Sequence, residues 1–223
     1  MSSTQTRRRG RPGGSQGSEL LAVARTTFLE LGFAGTTMDT VAARARISKA
    51  SLYREHASKD ALFEAVVLDW AAQGRDAMRP HLQRLLAAAD LRDGLLTLAT
   101  TIQAAVLDPD VLRMRRLVAA EAARFPDVAD RYIESSWNRN ISALGDALAE
   151  LHTRGSLHVD DPQLAAHQLT WLSVGGPLNQ QTLRGQDDAP ERAQLDAIAA
   201  AAADTFLARY ASGGGTSTRR RRR

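Results

Sequence analysis

Apolar positions recur at helical spacing along almost the whole chain, and nowhere do they alternate over the length of a strand. Leu20, Ala24, Phe28 and Leu31 fall on one stripe of a helix predicted over 18–31, with Ser18 as its cap. Gly32 ends that helix at a position free to take positive φ, and Phe33 is expected to fold back onto the bundle. Met38, Val41, Ala42 and Ala45 then repeat at i, i+3, i+4 and i+7 behind the N-cap candidate Thr37. Ile47 plugs the turn that follows. Ser48 caps a short helix over 49–56 in which only Leu52 points inward. Leu62, Phe63, Val66, Val67 and Trp70 share a face of a fourth helix, which opens at Ser58-Lys59-Asp60 and ends before Pro80.

The remainder reads as further helices. Leu95, Leu98, Ala99 and Ile102 stripe a segment over 92–107. Asp108-Pro109, Pro126 and Asp161-Pro162 each open a helix, because proline loses nothing where the first N–H groups have no partner. The helix from Pro126 runs to Thr153 through Val128, Tyr132, Ile141, Leu144, Leu148 and Leu151. Asp188 to Pro190 opens the last one, which ends near Tyr210. Gly175-Gly176-Pro177 interrupts the penultimate helix and predicts a kink. The fold class is all-α.

Charge sharpens this picture. The net charge is +4, yet four arginines in the first 18 residues and the run Arg219–Arg223 exceed it, so the intervening chain is net acidic. Within that acidic body the two short helices are a basic island carrying Arg44, Arg46, Lys49, Arg54 and Lys59. Such a layout suits a polyanion touched at one end. The chain has no cysteine, which excludes disulfides, thiolate metal sites and cysteine nucleophiles. No apolar run approaches 18 residues and no secretory h-region follows the N-terminal arginines, so neither a membrane span nor an export signal is expected, and the expected location is cytoplasmic.

With Leu52 inward, the short helix over 49–56 shows Lys49, Ala50, Ser51, Tyr53 and Arg54 to the outside. An outward face of that kind fits a DNA major groove. Lys49, Ala50 and Arg54 would reach base edges, and Thr37, Ser48, Ser51, Tyr53 and Lys59 would hold phosphates. In the N-terminal arm, Arg9-Gly10-Arg11-Pro12 resembles an AT-hook core, whose slim backbone and flanking guanidiniums suit a narrow minor groove.

The series Gly32-Phe33-Ala34-Gly35-Thr36-Thr37, Val41-Ala42, Ala45, Ile47-Ser48-Lys49, Leu52-Tyr53 and Ser58-Lys59 ahead of Leu62-Phe63 resembles the TetR family of bacterial repressors. Two positions depart from the family pattern. Arg46 stands where the family usually has glycine; a left-handed Arg46 would cost about 1–2 kcal/mol and add charge toward DNA. His56 stands where the family usually has phenylalanine, and reads as a core residue more readily than as a phosphate contact. In the second half, Arg115-Arg116-Leu117-Val118, Glu121-Ala122, Arg124-Phe125-Pro126 and Asp160-Asp161-Pro162 resemble the AefR-type subset. The resemblance implies an N-terminal three-helix helix-turn-helix DNA-binding domain followed by a C-terminal helical ligand-binding and dimerisation domain.

The expected organisation is a disordered basic arm over 1–17, a DNA-binding domain over 18–64, an effector and dimerisation domain over 65–211, and an arginine tail over 212–223. Leu164, Leu169, Leu172, Leu195, Ile198 and Phe206 give the last two helices more apolar surface than one small domain needs, so a homodimer is expected. Trp70, Met114, Tyr132, Trp137 and Trp171 are the candidates for an effector pocket. No nucleophile elbow, P-loop or dinucleotide fingerprint occurs, and no histidine pairs in a metal pattern, so no catalysis, cofactor or metal is expected. The expected activity is that of a regulator, a repressor released from a palindromic operator by an unknown small molecule, with double-stranded DNA as partner. The alternative is a helical protein that holds nucleic acid nonspecifically through its arginine tails.

Overall fold

The computed structural model describes residues 13–74, 76–184 and 190–212. Eleven α-helices account for nearly all of them, and the described residues contain no strand beyond a single bridge between Leu157 and Ala211. The chain divides into two compact units, 1–70 and 71–223.

The first unit contains α1 (Gly13–Gly35), α2 (Met38–Arg44), α3 (Lys49–Glu55) and most of α4 (Lys59–Gln73). α1 begins before Ser18, which is therefore not its cap, and takes in residues assigned above to the arm. Leu20, Ala24 and Phe28 are buried as expected, but Leu31 is exposed. The reason lies at Gly32, whose φ of 68° turns the chain. Phe33, not Leu31, then fills the space beside Phe28. Phe28, Phe33 and Phe63 pack as a trio with ring centroids 5.1–6.0 Å apart, Phe63 meeting the other two edge-on. Thr36 is fully buried and donates to the Gly32 carbonyl at 2.8 Å, so the turn after α1 is pinned from inside.

The second unit is built on α6 (Leu91–Val106), α9 (Arg139–Thr153), α10 (Pro162–Arg184) and α11 (Arg192–Tyr210), with α5 (Arg79–Leu86), α7 (Pro109–Glu121) and α8 (Pro126–Tyr132) packed around them. Leu95, Leu98, Ile102, Leu148, Leu169, Leu178 and Phe206 lie in one apolar core. Two Asp-led starts behave as read: Asp108 and Asp161 each accept a backbone N–H from the following turn at 2.9–3.2 Å, and Asp90, not singled out from the sequence, does the same for α6 at 3.0 Å. Asp188 lies outside the described residues. α4 ends at Gln73, before Pro80 as expected, and Pro80 sits in the first turn of α5. Two features differ from expectation. The helix from Pro126 is interrupted by a π-helical segment, Ile133–Asn138, where the Ser136 hydroxyl donates to the Tyr132 carbonyl at 2.5 Å. The second concerns Pro177: α10 stays helical through Gly175-Gly176-Pro177.

That continuity has a visible cause. Pro177 has no N–H to offer the carbonyl of Ser173, four residues earlier. The amide of Gln103, a buried residue on α6, donates to that carbonyl at 3.0 Å and to the Leu195 carbonyl of α11 at 2.9 Å. One side chain thus replaces the missing bond and joins three helices. Among the described residues no single helix is long and apolar enough to cross a membrane; the bent pair α6–α7 passes by length and composition, but Leu95, Leu98, Ile102 and Leu112 from it are core residues.

Candidate functional site

α2 and α3 form a helix-turn-helix whose turn is held by local hydrogen bonds. Thr37 caps α2 by accepting the Thr40 N–H at 3.1 Å, and Ser48 caps α3 by accepting the Ser51 N–H at 3.1 Å. Between the helices Arg46 adopts φ 55°, the left-handed conformation in which a side chain is strained. Ile47 is half-buried. We expect Arg46→Gly to raise the stability of this unit by about 1 kcal/mol, measured by urea denaturation. An unchanged midpoint would mean that the turn relaxes around arginine.

α3 has one buried residue, Leu52, at 0% exposure, while the adjacent Tyr53 is 49% exposed. Lys49, Ala50 and Arg54 are also exposed, and Ser51 is half-buried. The helix therefore presents the outward face anticipated from its pattern. Its cations are not equivalent. Lys49 is paired with Asp39 of α2 at 2.6 Å, and Arg44 with Glu30 of α1 at 2.5 Å. Lys59 donates to the Phe33 carbonyl at 2.9 Å, with its ammonium 4.3 Å from the Phe33 ring centre. Its position in the first turn of α4, which the helix dipole disfavours, is thus compensated within the protein. Among the described cations of the helix-turn-helix, Arg46 and Arg54 are exposed and have no ion pair. Arg9 and Arg11 lie outside the described residues.

His56 ends α3 and is half-buried. Burial holds its imidazole below the ordinary value of 6.5, with the Glu55 carboxylate acting weakly in the opposite sense. This is the behaviour of a packed residue. The folded unit thus resists protonation that the unfolded chain accepts, and the associated stability is present above pH 6.5 and lost as pH falls through the lowered folded value. A melting series from about pH 7.5 to about pH 5.5 should show wild type losing more stability than His56→Phe. Parallel curves would contradict the assignment.

The five effector candidates separate. Trp70 belongs to the first unit, where the Arg25 guanidinium lies 4.7 Å from its ring. Met114 is wholly buried on the inner face of α7 with Leu117 and Val118, a core position. Trp137 and Trp171 meet, with ring centroids 5.4 Å apart and planes tilted by 46°. Arg115 lies over Trp137 at 5.6 Å. Tyr132 is half-buried; burial raises its phenol above 10.0, and the nearby charge of Arg115 opposes that rise. Arg115 is the member that periodicity did not single out, since nothing local distinguishes it from its neighbours Arg113 and Arg116. Elsewhere, His152 and His158 stand 5.8 Å apart, but His152 Nδ1 accepts the Val159 N–H at 3.2 Å. No group of three or more metal-ligating side chains occurs among the described residues.

Residues 20–66 match the model of bacterial regulatory proteins of the tetR family, and residues 93–212 match the C-terminal domain of AefR-like transcriptional repressors. The chain belongs to the TetR family. A solved TetR-family regulator from Mesorhizobium loti is 29% identical, with a TM-score of 0.85 over 91% of this chain and 100% of its own. The flavonoid-responsive regulator FrrA is 28% identical, with a TM-score of 0.69 over 89% of this chain and 98% of its own. A TetR regulator from Agrobacterium tumefaciens, 22% identical with a TM-score of 0.71 over 90% of this chain and 96% of its own, shares the fold. No curated protein matches the chain. As a TetR-family regulator it carries the N-terminal helix-turn-helix and the C-terminal helical domain on which DNA binding and regulation in the family rest.

Proposed function

We propose that this TetR-family chain is a homodimeric repressor that leaves a palindromic operator when a small molecule binds its second unit. The observation that carries the reading is α3: one buried leucine anchors it, and Lys49, Ala50, Tyr53 and Arg54 face outward. Lys49, Ala50 and Arg54 would meet base edges in the major groove. Thr37, Arg46, Ser48, Ser51, Tyr53 and Lys59 would steady the sugar-phosphate backbone, and Arg9 and Arg11 would enter the adjacent minor groove. Lys49 must leave Asp39 to do so. Their exposed pair is worth about 0–1 kcal/mol, less than the 1–3 kcal/mol or so of a good base contact, so the exchange favours DNA.

Dimerisation is supported by the outer faces of α10 and α11, which pack against each other. Leu164, Leu172 and Leu183 are exposed on α10, the last at 76%. Ala197, Ala201, Thr205 and Ala208 are exposed on α11, small residues that permit close approach of a second helix pair. Two copies would hold their reading helices near one turn of B-DNA apart, about 34 Å. A ligand that favours a different spacing would need a differential affinity of about 1–3 kcal/mol. That FrrA is named as flavonoid-responsive supports a small organic effector.

Selection of bound sequences from random duplex DNA tests the proposal, and a two-fold symmetric consensus is expected. Lys49→Ala should then relax discrimination at one base position by about 1–3 kcal/mol; equal losses on all sequences would reassign Lys49 to the backbone. Removing residues 1–17 and 212–223 should leave the preference for the consensus over scrambled DNA. Its disappearance would favour the tail-driven alternative.

A further inference from the structure

Side chains from three separate helices converge around Trp137. Arg115 comes from α7, Trp171 from α10, and Trp137 itself from the π-helical segment. A π-helical insertion turns the positions beyond it by ~100° relative to an uninterrupted α-helix. Here it accompanies the contact of Trp137 with Trp171 while Val128 before it and Ile141 after it stay buried. The two indoles, tilted by 46°, meet as a wedge whose outer faces keep solvent-exposed surface, Trp137 being half-buried and Trp171 exposed. Gly175 leaves room for this arrangement: a Cβ there would stand 3.2 Å from Cε3 of Trp171.

The cation beside the wedge lacks an anion. Arg113 is bonded to Asp110, and Arg116 donates to the Gln181 carbonyl at 3.1 Å. Arg115 is half-buried with its guanidinium 5.6 Å from the Trp137 ring centre, and among the described residues no carboxylate lies within ion-pair range of it. A half-buried guanidinium beside a π surface, with no carboxylate in range, has its planar donor fork available. That fork matches a carboxylate.

We propose that Arg115, Trp137 and Trp171 bind a planar aromatic carboxylate, its anionic group on the guanidinium and its ring in the indole wedge. This rests on the second unit being the effector-binding half of the regulator and names the chemistry of what it binds. The charge of Arg115 also reaches the phenol of Tyr132, which stays protonated at neutral pH. Trp171 also borders the face proposed for dimerisation, so occupancy of the wedge would be felt there.

The test uses the full chain and three probes in isothermal titration calorimetry: 2-naphthoate, its neutral amide 2-naphthamide, and cyclohexanecarboxylate. Naphthoate should bind about tenfold more tightly than naphthamide, and cyclohexanecarboxylate should bind more weakly than naphthoate. Arg115→Gln should erase the preference for naphthoate over naphthamide, and Arg115→Lys should restore part of it. Gly175→Ala should weaken both naphthyl probes alike by pressing on the Trp171 ring. Equal binding of naphthoate and naphthamide to wild type, or an unchanged ratio in Arg115→Gln, would overturn the inference, and the first comparison needs no variant. Preference of the unliganded protein for its selected duplex is measured in parallel. Loss of that preference in wild type would sink the regulator reading, whereas its retention alongside equal binding of the two naphthyl probes would sink the effector assignment alone.

Discussion

Phe63→Ala is expected to destabilise the first unit by about 3–5 kcal/mol, the largest effect of any single substitution considered. Phe63 is 1% exposed and meets Phe28 and Phe33 edge-on at 5.4 and 5.1 Å. Truncation removes both contacts and leaves a cavity between α1 and α4. It also loosens Phe33, whose carbonyl and ring hold Lys59. A loss of this size approaches the whole stability of a small helical unit, so DNA binding should fail together with folding. Urea denaturation followed by Trp70 fluorescence, in a background carrying Trp137→Phe and Trp171→Phe, reports on this unit. A shift below about 1 kcal/mol would show that the trio repacks.

Gln103→Leu carries the second large effect, about 1–3 kcal/mol in the second unit. The substitution conserves bulk but leaves the Ser173 carbonyl without a donor, because Pro177 cannot supply one. The Leu195 carbonyl is the lesser loss, since a carbonyl inside a helix is served by the N–H four residues on. A double-mutant cycle separates this cause from general disruption of the core. Pro177→Ala restores an N–H four residues after Ser173, so Gln103→Leu should cost appreciably less in that background. Equal costs in both backgrounds would mean that Gln103 acts only by packing and by its bond to α11. A substitution of this kind would also disturb the helix pair that carries the proposed dimer face.

The helix-turn-helix was legible because its signals are local. Thr37 and Ser48 cap the helices that directly follow them, Leu52 alone anchors α3, and Arg46 takes the strained conformation that its place in the turn demands. The Asp-led helix starts were legible for the same reason. Errors arose where a local rule has two outcomes. Glycine and proline can break a helix or be carried through it, and α10 carries Gly175-Gly176-Pro177. Leu31 continues the stripe of α1, yet the turn at Gly32 brings Phe33 into the place that Leu31 would have filled.

What the order of residues determined by itself was the helical class, the capped helix α3 and its outward side chains, and the resemblance that the family matches later bore out. Those features depend on interactions spanning a few residues, which a periodicity can record. Partnerships across the chain were decided only by the tertiary structure. Lys49 turned to Asp39, Lys59 to the Phe33 carbonyl, Gln103 to a carbonyl orphaned by a distant proline, and Arg115 to an indole on another helix. Each such pairing joins groups brought together by packing, and the energy that selects it exists only once the helices have met.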